Sequence, residues 1–211
     1  MKSKIKYLIF LLMMVNVNLW AINVSDKPVM TVESANYTEA KEKADFLHFK
    51  MKSTKAGIIT TVFDGYVNRF EVFYQWDKKN QTFTNSTILF QTMDLDTDVN
   101  GRNDKMRVEC LGGPMFPLIS VKILDDLKVD PANDKEKEIT VRGEILIRNI
   151  KKEFPITLKI EKELKENGEI LKLVGKAQLS LKELSIPDPS IWIARVHDEV
   201  EIDFQLHLKN I

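Results

Sequence analysis

Three histidines, one cysteine and a run of acidic residues between Asp94 and Asp104 are the side chains in this 211-residue chain that could support metal or nucleophilic chemistry. Asp94, Asp96, Asp98, Asn100 and Asp104, with Gly101 among them, resemble the spacing of a calcium loop. The twelfth position counted from Asp94 is Lys105, where that loop needs a bidentate Glu, so no calcium site is expected. His48 and His207 fall on the first and last strands of a period-two pattern. Their faces read as wet, and the strands meet if the sheet closes, but no third ligand accompanies the two imidazoles and His197 adds none. Cys110 cannot form an intramolecular disulfide and has no base near it in sequence, so it reads as a small buried or half-buried thiol. The chain has no G-x-S-x-G elbow, no H-E-x-x-H helix and no P-loop. Most carboxylates fall on wet strand faces rather than in a cleft where two could cooperate. The expectation is a protein that is not an enzyme and carries no cofactor or metal.

The elements that position these residues are strands. From Phe46 onward apolar residues recur every second position. Leu47, Phe49 and Met51 alternate with His48, Lys50 and Lys52, and Val72, Tyr74 and Trp76 alternate with Glu71, Phe73 and Gln75. Ile139, Val141, Gly143, Ile145 and Ile147 share one face, as do Phe154, Ile156, Leu158 and Ile160. Leu171, Leu173, Gly175, Ala177, Leu179 and Leu181 form another such run, and Val200, Ile202, Phe204, Leu206 and Leu208 give the cleanest alternation. One dry and one wet face is the mark of an antiparallel sheet. Residues 169–181 and 198–209 would each extend about 40 Å, and a dry face that long must pack on a second sheet or close as a barrel. Asp77-Lys78-Lys79-Asn80, Asp130-Pro131-Ala132-Asn133-Asp134 and Lys165-Glu166-Asn167-Gly168 read as turns, which favours up-and-down order. The one long irregular stretch, Asp94 to Pro117, is expected to carry a short helix over Asp104–Leu111. Thr38–Lys43 could form a turn or two of helix, and residues 22–44 otherwise give no firm expectation.

Formal charge is zero, which removes the electrostatic case for nucleic acid. Lys2, Lys4 and Lys6 precede an apolar run from Tyr7 to Val15, and Trp20-Ala21 closes the segment. This is the pattern of a cleavable secretory signal over residues 1–21, with an uncleaved anchor as the alternative. Its removal leaves 28 basic and 31 acidic residues and no further apolar run long enough to span a bilayer.

The middle of the chain carries a family resemblance. Leu95-Asp96-Thr97, then Arg102-Asn103-Asp104-Lys105-Met106, then Phe116-Pro117-Leu118-Ile119 are similar in order and spacing to a signature reading S-I-D-T, R-D-x-H-L and Y-P-x-I. That signature belongs to the YceI-like family. Phe49, Phe63-Asp64-Gly65 to Phe70, Val141-Arg142-Gly143-Glu144-Ile145-Leu146-Ile147-Arg148 and Asp198-Glu199-Val200-Glu201-Ile202 resemble its other strands, so the likeness runs over roughly residues 45–209. Asn103, Lys105, Asn149, Leu181 and Ser185 depart from the family's Asp, His, Gly, Arg and Gly. The resemblance implies an all-β fold: an eight-stranded antiparallel lipocalin-like up-and-down barrel, over residues 45–211, with a short helix in the mid-chain loop. It also implies a periplasmic location, a bound polyisoprenoid or other long amphiphile, and a fold that allows a homodimer.

The expected lining of such a barrel is Leu47, Phe49, Met51, Val67, Tyr74, Trp76, Ile88, Phe90, Val141, Ile145, Ile156, Leu158, Leu173, Ala177, Phe204 and Leu206. These residues either fill a solid core or surround one slim ligand. Gly143, Gly175 and Ala177 on inward positions favour a hollow. Arg102 either meets a head group at the mouth or ties the loop down through Asp94 or Asp96, and its place in the long loop favours the second. The functional expectation is an exported carrier or sequestering protein for an isoprenoid or fatty-acyl amphiphile. The alternatives are a solid barrel whose loops bind a protein partner and an enzyme acting on lipids.

Overall fold

The structure is a computed structural model that describes residues 27–129, 138–165 and 168–209. The expected leader and the turn at Asp130–Asp134 lie outside the described residues. In chain order the strands are β1 (Met30–Glu33), β2 (Phe46–Lys55), β3 (Ile59–Val67), β4 (Arg69–Asp77), β5 (Thr82–Gln91), β6 (Leu95–Asp96), β7 (Leu118–Ile123), β8 (Leu127–Lys128), β9 (Glu138–Ile147), β10 (Ile150–Lys165), β11 (Gly168–Ser180) and β12 (Ala194–Lys209). All belong to one antiparallel sheet, ordered β1-β4-β5-β7-β9-β10-β11-β12-β2-β3-β6 with β8 beside β5.

Both ends of that path lead back to one place. β3 and β4 are separated by Asn68 alone, so they are two halves of a single bent strand, pairing with β2 above the bend and with β5 below it. Counting them together, β2, β3/β4, β5, β7, β9, β10, β11 and β12 are the eight principal strands of a curled, barrel-like sheet, and β1, β6 and β8 are short additions that take the strand number beyond the eight expected. The bend is visible in the side chains. Gly65 and Val67 are the buried positions of β3, whereas Phe70 and Val72 are those of β4, so the inward phase moves by one residue at Asn68. An extra residue of this kind bends a strand and re-aims the side chains beyond it. The backbone N–H of Asn68 donates to Asp94 O (2.8 Å) and its amide to Asp96 Oδ2 (3.1 Å), which ties the bend to β6.

Three inward glycines face aromatic rings on the neighbouring strand: Gly65 opposite Phe49, Gly143 opposite Phe154 and Gly175 opposite Phe204. A Cβ on Gly175 would stand only 2.0 Å from the Phe204 ring. The space that Gly143 and Gly175 leave is therefore taken by neighbours, not left open, which corrects the expectation that they favour a hollow. A ring laid over a strand glycine lets the sheet curve tightly and still exclude water.

Helix α1 (Tyr37–Glu42) begins at Asn36, whose side chain accepts from the Glu39 N–H, and so forms where one was expected. In the long connection, helix α2 (Asn100–Asp104) starts four residues before the expected position and runs into a π-helical turn, Lys105–Cys110. The hairpin after β9 turns on Arg148 and Asn149, both with positive φ (50° and 64°). That conformation suits a two-residue turn, and Asn adopts it at little cost.

One outward residue is not wet. His48, expected on the solvent face of β2, is 7 % exposed. Its ring lies tilted against Tyr66 with centroids 4.5 Å apart, meets Asp64 at 3.0 Å and lies 3.5 Å from Asp203. Tyr37 of α1 donates to Asp64 (3.0 Å) from above. Burial together with this bond to a carboxylate pushes the Tyr37 hydroxyl up to about 12. Burial raises the Asp64 carboxyl, but the His48 and Tyr37 hydrogen bonds outweigh it and hold Asp64 below its ordinary value. His207, also expected wet, is half-buried and bonds Asp45 Oδ1 through Nδ1 (2.9 Å). Among the described residues no group of three or more His, Cys, Asp or Glu converges as metal ligands.

Candidate ligand cavity

Inward alternation around the ring produces a cavity of about 760 Å³ in one half of the barrel. That lies within the roughly 300–1,000 Å³ typical of small-molecule sites. Ten of the expected lining residues form its wall: Leu47, Phe49 and Met51 of β2, Val67 of β3, Ile88 and Phe90 of β5, Ile145 of β9, Ile156 of β10, Ala177 of β11 and Phe204 of β12. The other six do not reach it. Tyr74 and Trp76 pack on Phe83 with ring centroids 5.1 and 4.5 Å apart. Val141, Leu158, Leu173 and Leu206 are buried in the hydrophobic core outside the cavity wall, Leu158 at 0 % exposure. The physical reason is that period-two alternation fixes which face a side chain occupies but not its height along the barrel. Phe204, lying across Gly175, contributes to the cavity floor.

The wall also contains residues that strand periodicity could not find. Met106, Cys110 and Leu111 come from the π-helical turn and the residue after it, and Leu184, Ile186 and Ile191 from the connection between β11 and β12, where Leu181, the end of a period-two run, also reaches the wall. These segments cover the end of the barrel where β2 meets β3. Cys110 is buried, and burial pushes its thiol upward, which disfavours the reactive thiolate.

The mouth holds the polar groups. Ser53 and Thr61, opposite each other on β2 and β3, share a 3.2 Å hydrogen bond. Lys55, Arg102 and Lys105 are the charged side chains brought to the lining; His48, at the same wall, turns its ring to the outer face. No Asp or Glu among the described residues lines the cavity. Lys105 pairs with Glu109 one turn on, at 3.7 Å. Arg102 lies over the Phe63 ring at 4.6 Å, and neither it nor Lys55 has a carboxylate partner among the described residues. The expected tie from Arg102 to Asp94 or Asp96 is therefore not made. Arg107 does that work, donating from Nε to Leu95 O at 2.6 Å. Arg102 and Arg107 leave the same helical stretch in different directions, so one reaches the loop backbone and the other the mouth.

The loop is pinned by Asn103, whose Oδ1 accepts from the Thr97 N–H (2.8 Å) and hydroxyl (2.7 Å) while its amide donates to Asp96 Oδ1 (2.8 Å). Burial raises the Asp96 carboxyl, but donors from Asp98, Asn103 and Asn68 hold it below its ordinary value. Its stabilisation is therefore present above the ordinary carboxylate range and lost as pH falls through the depressed value. Asn103→Ala strands these buried partners and is expected to cost about 2–3 kcal/mol. Urea titrations at several pH values check this, and the variant should lose less stability on acidification than the parent does.

The sequence profile of the YceI-like domain matches residues 23–208. The chain belongs to the YceI-like family. Solved structures agree on the fold. Burkholderia cenocepacia BcnA is 14 % identical, superposes with a TM-score of 0.55, and the match covers 76 % of this chain and 95 % of that one. A polyisoprenoid-binding domain from Saccharophagus degradans, implicated in plant cell wall breakdown, is 12 % identical with a TM-score of 0.53, covering 78 % and 92 %. The Campylobacter jejuni YceI protein is 10 % identical with a TM-score of 0.54, covering 69 % and 85 %. No curated protein matches the chain. Across so low an identity, these YceI-like chains share an arrangement of strands rather than a set of side chains.

Proposed function

We propose that this YceI-like protein is exported to the periplasm and there carries or sequesters a long-chain amphiphile, a polyisoprenoid or a fatty-acyl lipid, without acting on it chemically. The observation that carries this reading is the cavity of about 760 Å³, apolar through its depth and cationic at its mouth. A hydrocarbon chain gains about 0.8 kcal/mol for each CH₂ taken out of water, so an apolar slot alone supplies affinity. Lys55, Arg102 and Lys105 favour a head group bearing negative charge. The domain from Saccharophagus degradans described as polyisoprenoid-binding has the same fold, and the leader pattern at the N-terminus supports export.

Organic extraction of the purified protein followed by mass spectrometry tests the proposal: a chain-like lipid at near-equimolar amount is expected. A clean extract, together with no uptake of added prenyl phosphate or fatty acid, favours the solid module that binds a protein partner. Arg102→Ala is expected to weaken binding of a fatty acid about tenfold, the loss of one charge-assisted contact at a partly solvated site. The corresponding fatty alcohol should bind both proteins alike, which a fluorescence displacement titration measures.

A further inference from the structure

Among the described residues, the large apolar side chains that remain exposed are distributed very unevenly. All but Val29 lie in three segments at the mouth end of the barrel: the β2–β3 turn and the start of β3, the connection from Thr92 to Leu118, and the loop Ile191–Ile193 before β12. Trp192 is 96 % exposed and Ile58 82 %. Ile59, Val62, Ile191 and Ile193 stand beside them.

These tips are held, not loose. Ala56 and Gly57 take positive φ (48° and 74°), and the Ile58 N–H closes the turn on Lys55 O at 3.1 Å. The Ala56 N–H donates to Ile193 O at 3.0 Å, and Lys55 pairs with Ala194. The turn and the loop therefore present Ile58 and Trp192 as one surface. That surface is continuous with the cavity, because Val62 and Ile191 belong to both, and Lys55 and Ala194, which flank the tips, also line the cavity.

We propose that this end of the barrel docks on an anionic lipid bilayer, with Trp192 and Ile58 entering the interfacial region and the cavity mouth facing the membrane. Three observations select a bilayer as the occupant. Exposed tryptophan and isoleucine on short tips suit the boundary between head groups and acyl chains, where an amphipathic indole is at home. The charged side chains lining the cavity, Lys55, Arg102 and Lys105, are all cations, and since Lys105 is paired with Glu109 it is Lys55 and Arg102 that complement anionic head groups. Because the apolar surface runs unbroken into the cavity, a chain leaving the membrane reaches its site without crossing water. A second copy is the weaker occupant, since a two-fold contact at the mouth sets these cations against their own counterparts. The reason for docking rests on the proposed lipid-carrying function, but the contact itself is measured separately.

The experiment uses the full processed protein with vesicles of phosphatidylcholine alone or mixed with phosphatidylglycerol, read by co-sedimentation and by quenching of tryptophan fluorescence with brominated acyl chains. Binding to the mixed vesicles with quenching is expected. The double variant Ile58→Ser, Trp192→Ser should lose at least about tenfold in partitioning. Both side chains are exposed, so the variant should keep its melting temperature and its extracted lipid. Sedimentation with no vesicle, while the extract still contains lipid, overturns docking and leaves the carrier reading intact. Vesicle binding with a clean extract and no uptake of added fatty acid supports docking and removes the carrier reading. Loss of a dimer in the double variant, with no vesicle binding by the parent, assigns the surface to self-association and overturns the proposal.

Discussion

Ala177→Phe is expected to weaken lipid binding by roughly a hundredfold while leaving the barrel folded. Ala177 sits on β11 between Ile156 of β10 and Ile202 of β12, and all three line the cavity. A phenyl ring added there extends into the hollow rather than into packed neighbours, so the usual overpacking cost of about 1–3 kcal/mol falls to its low end. The ligand meets the full effect. A chain displaced by four methylenes gives up about 3 kcal/mol, roughly a hundredfold in affinity. Displacement titration with a fluorescent fatty acid measures the loss, and thermal unfolding shows that the fold persists. Unchanged binding by a well-folded Ala177→Phe protein would mean that the ligand sits elsewhere. The contrast with Gly175, two residues earlier on the same strand face, shows why position matters. A Cβ at Gly175 collides with Phe204, so substitution there disturbs packing before it can report on binding.

The two-residue alternation in β9 to β12 left little freedom about the fold. Every apolar position named on those strands points inward, because a strand that slips by one residue exposes its whole hydrophobic set. What alternation could not carry is height. Leu158 and Ile156 are equivalent in pattern, yet one lies outside the cavity wall and the other forms part of it. That difference depends on what the opposite wall and the covering loops place at each level, which is information held by strands distant in sequence. The same limit applies to His48. Its polarity and phase place it on the outer face, as observed, but Tyr37 of α1 and Tyr66 of β3 come over that face and keep water from it. Arg102 and Arg107 are chemically alike and five residues apart. Only the helical geometry of the loop decides which of them holds Leu95 O and which reaches Phe63. The apolar tips at Ile58 and Trp192 break no period, so nothing in the sequence marked them as a shared surface until the β2–β12 pairing brought them together.

Leu158→Ala tests the other half of the barrel, and the largest stability loss is expected there. Leu158 is fully buried on β10, paired with Ile139 on one side and Gly175 on the other. Removing three carbon atoms from so enclosed a position costs the transfer term and the void left behind, about 3–5 kcal/mol. Strands on both sides are hydrogen-bonded, so the walls have little freedom to collapse into the space. Ile145→Ala makes the comparison within the same sheet. Ile145 already faces the hollow on one side, forfeits fewer packing contacts, and should cost about 2 kcal/mol, near the low end of such truncations. Denaturant midpoints at an unchanged slope measure both losses, because an unchanged slope shows that the surface exposed on unfolding has not altered. Ligand binding should respond in the opposite order. Leu158→Ala should leave affinity unchanged in the fraction that is folded, since its side chain is not part of the cavity wall, while Ile145→Ala alters that wall and should shift affinity. Equal stability losses at the two positions would mean that the barrel is packed alike along its length, and the division into a filled half and a receptive half would not hold.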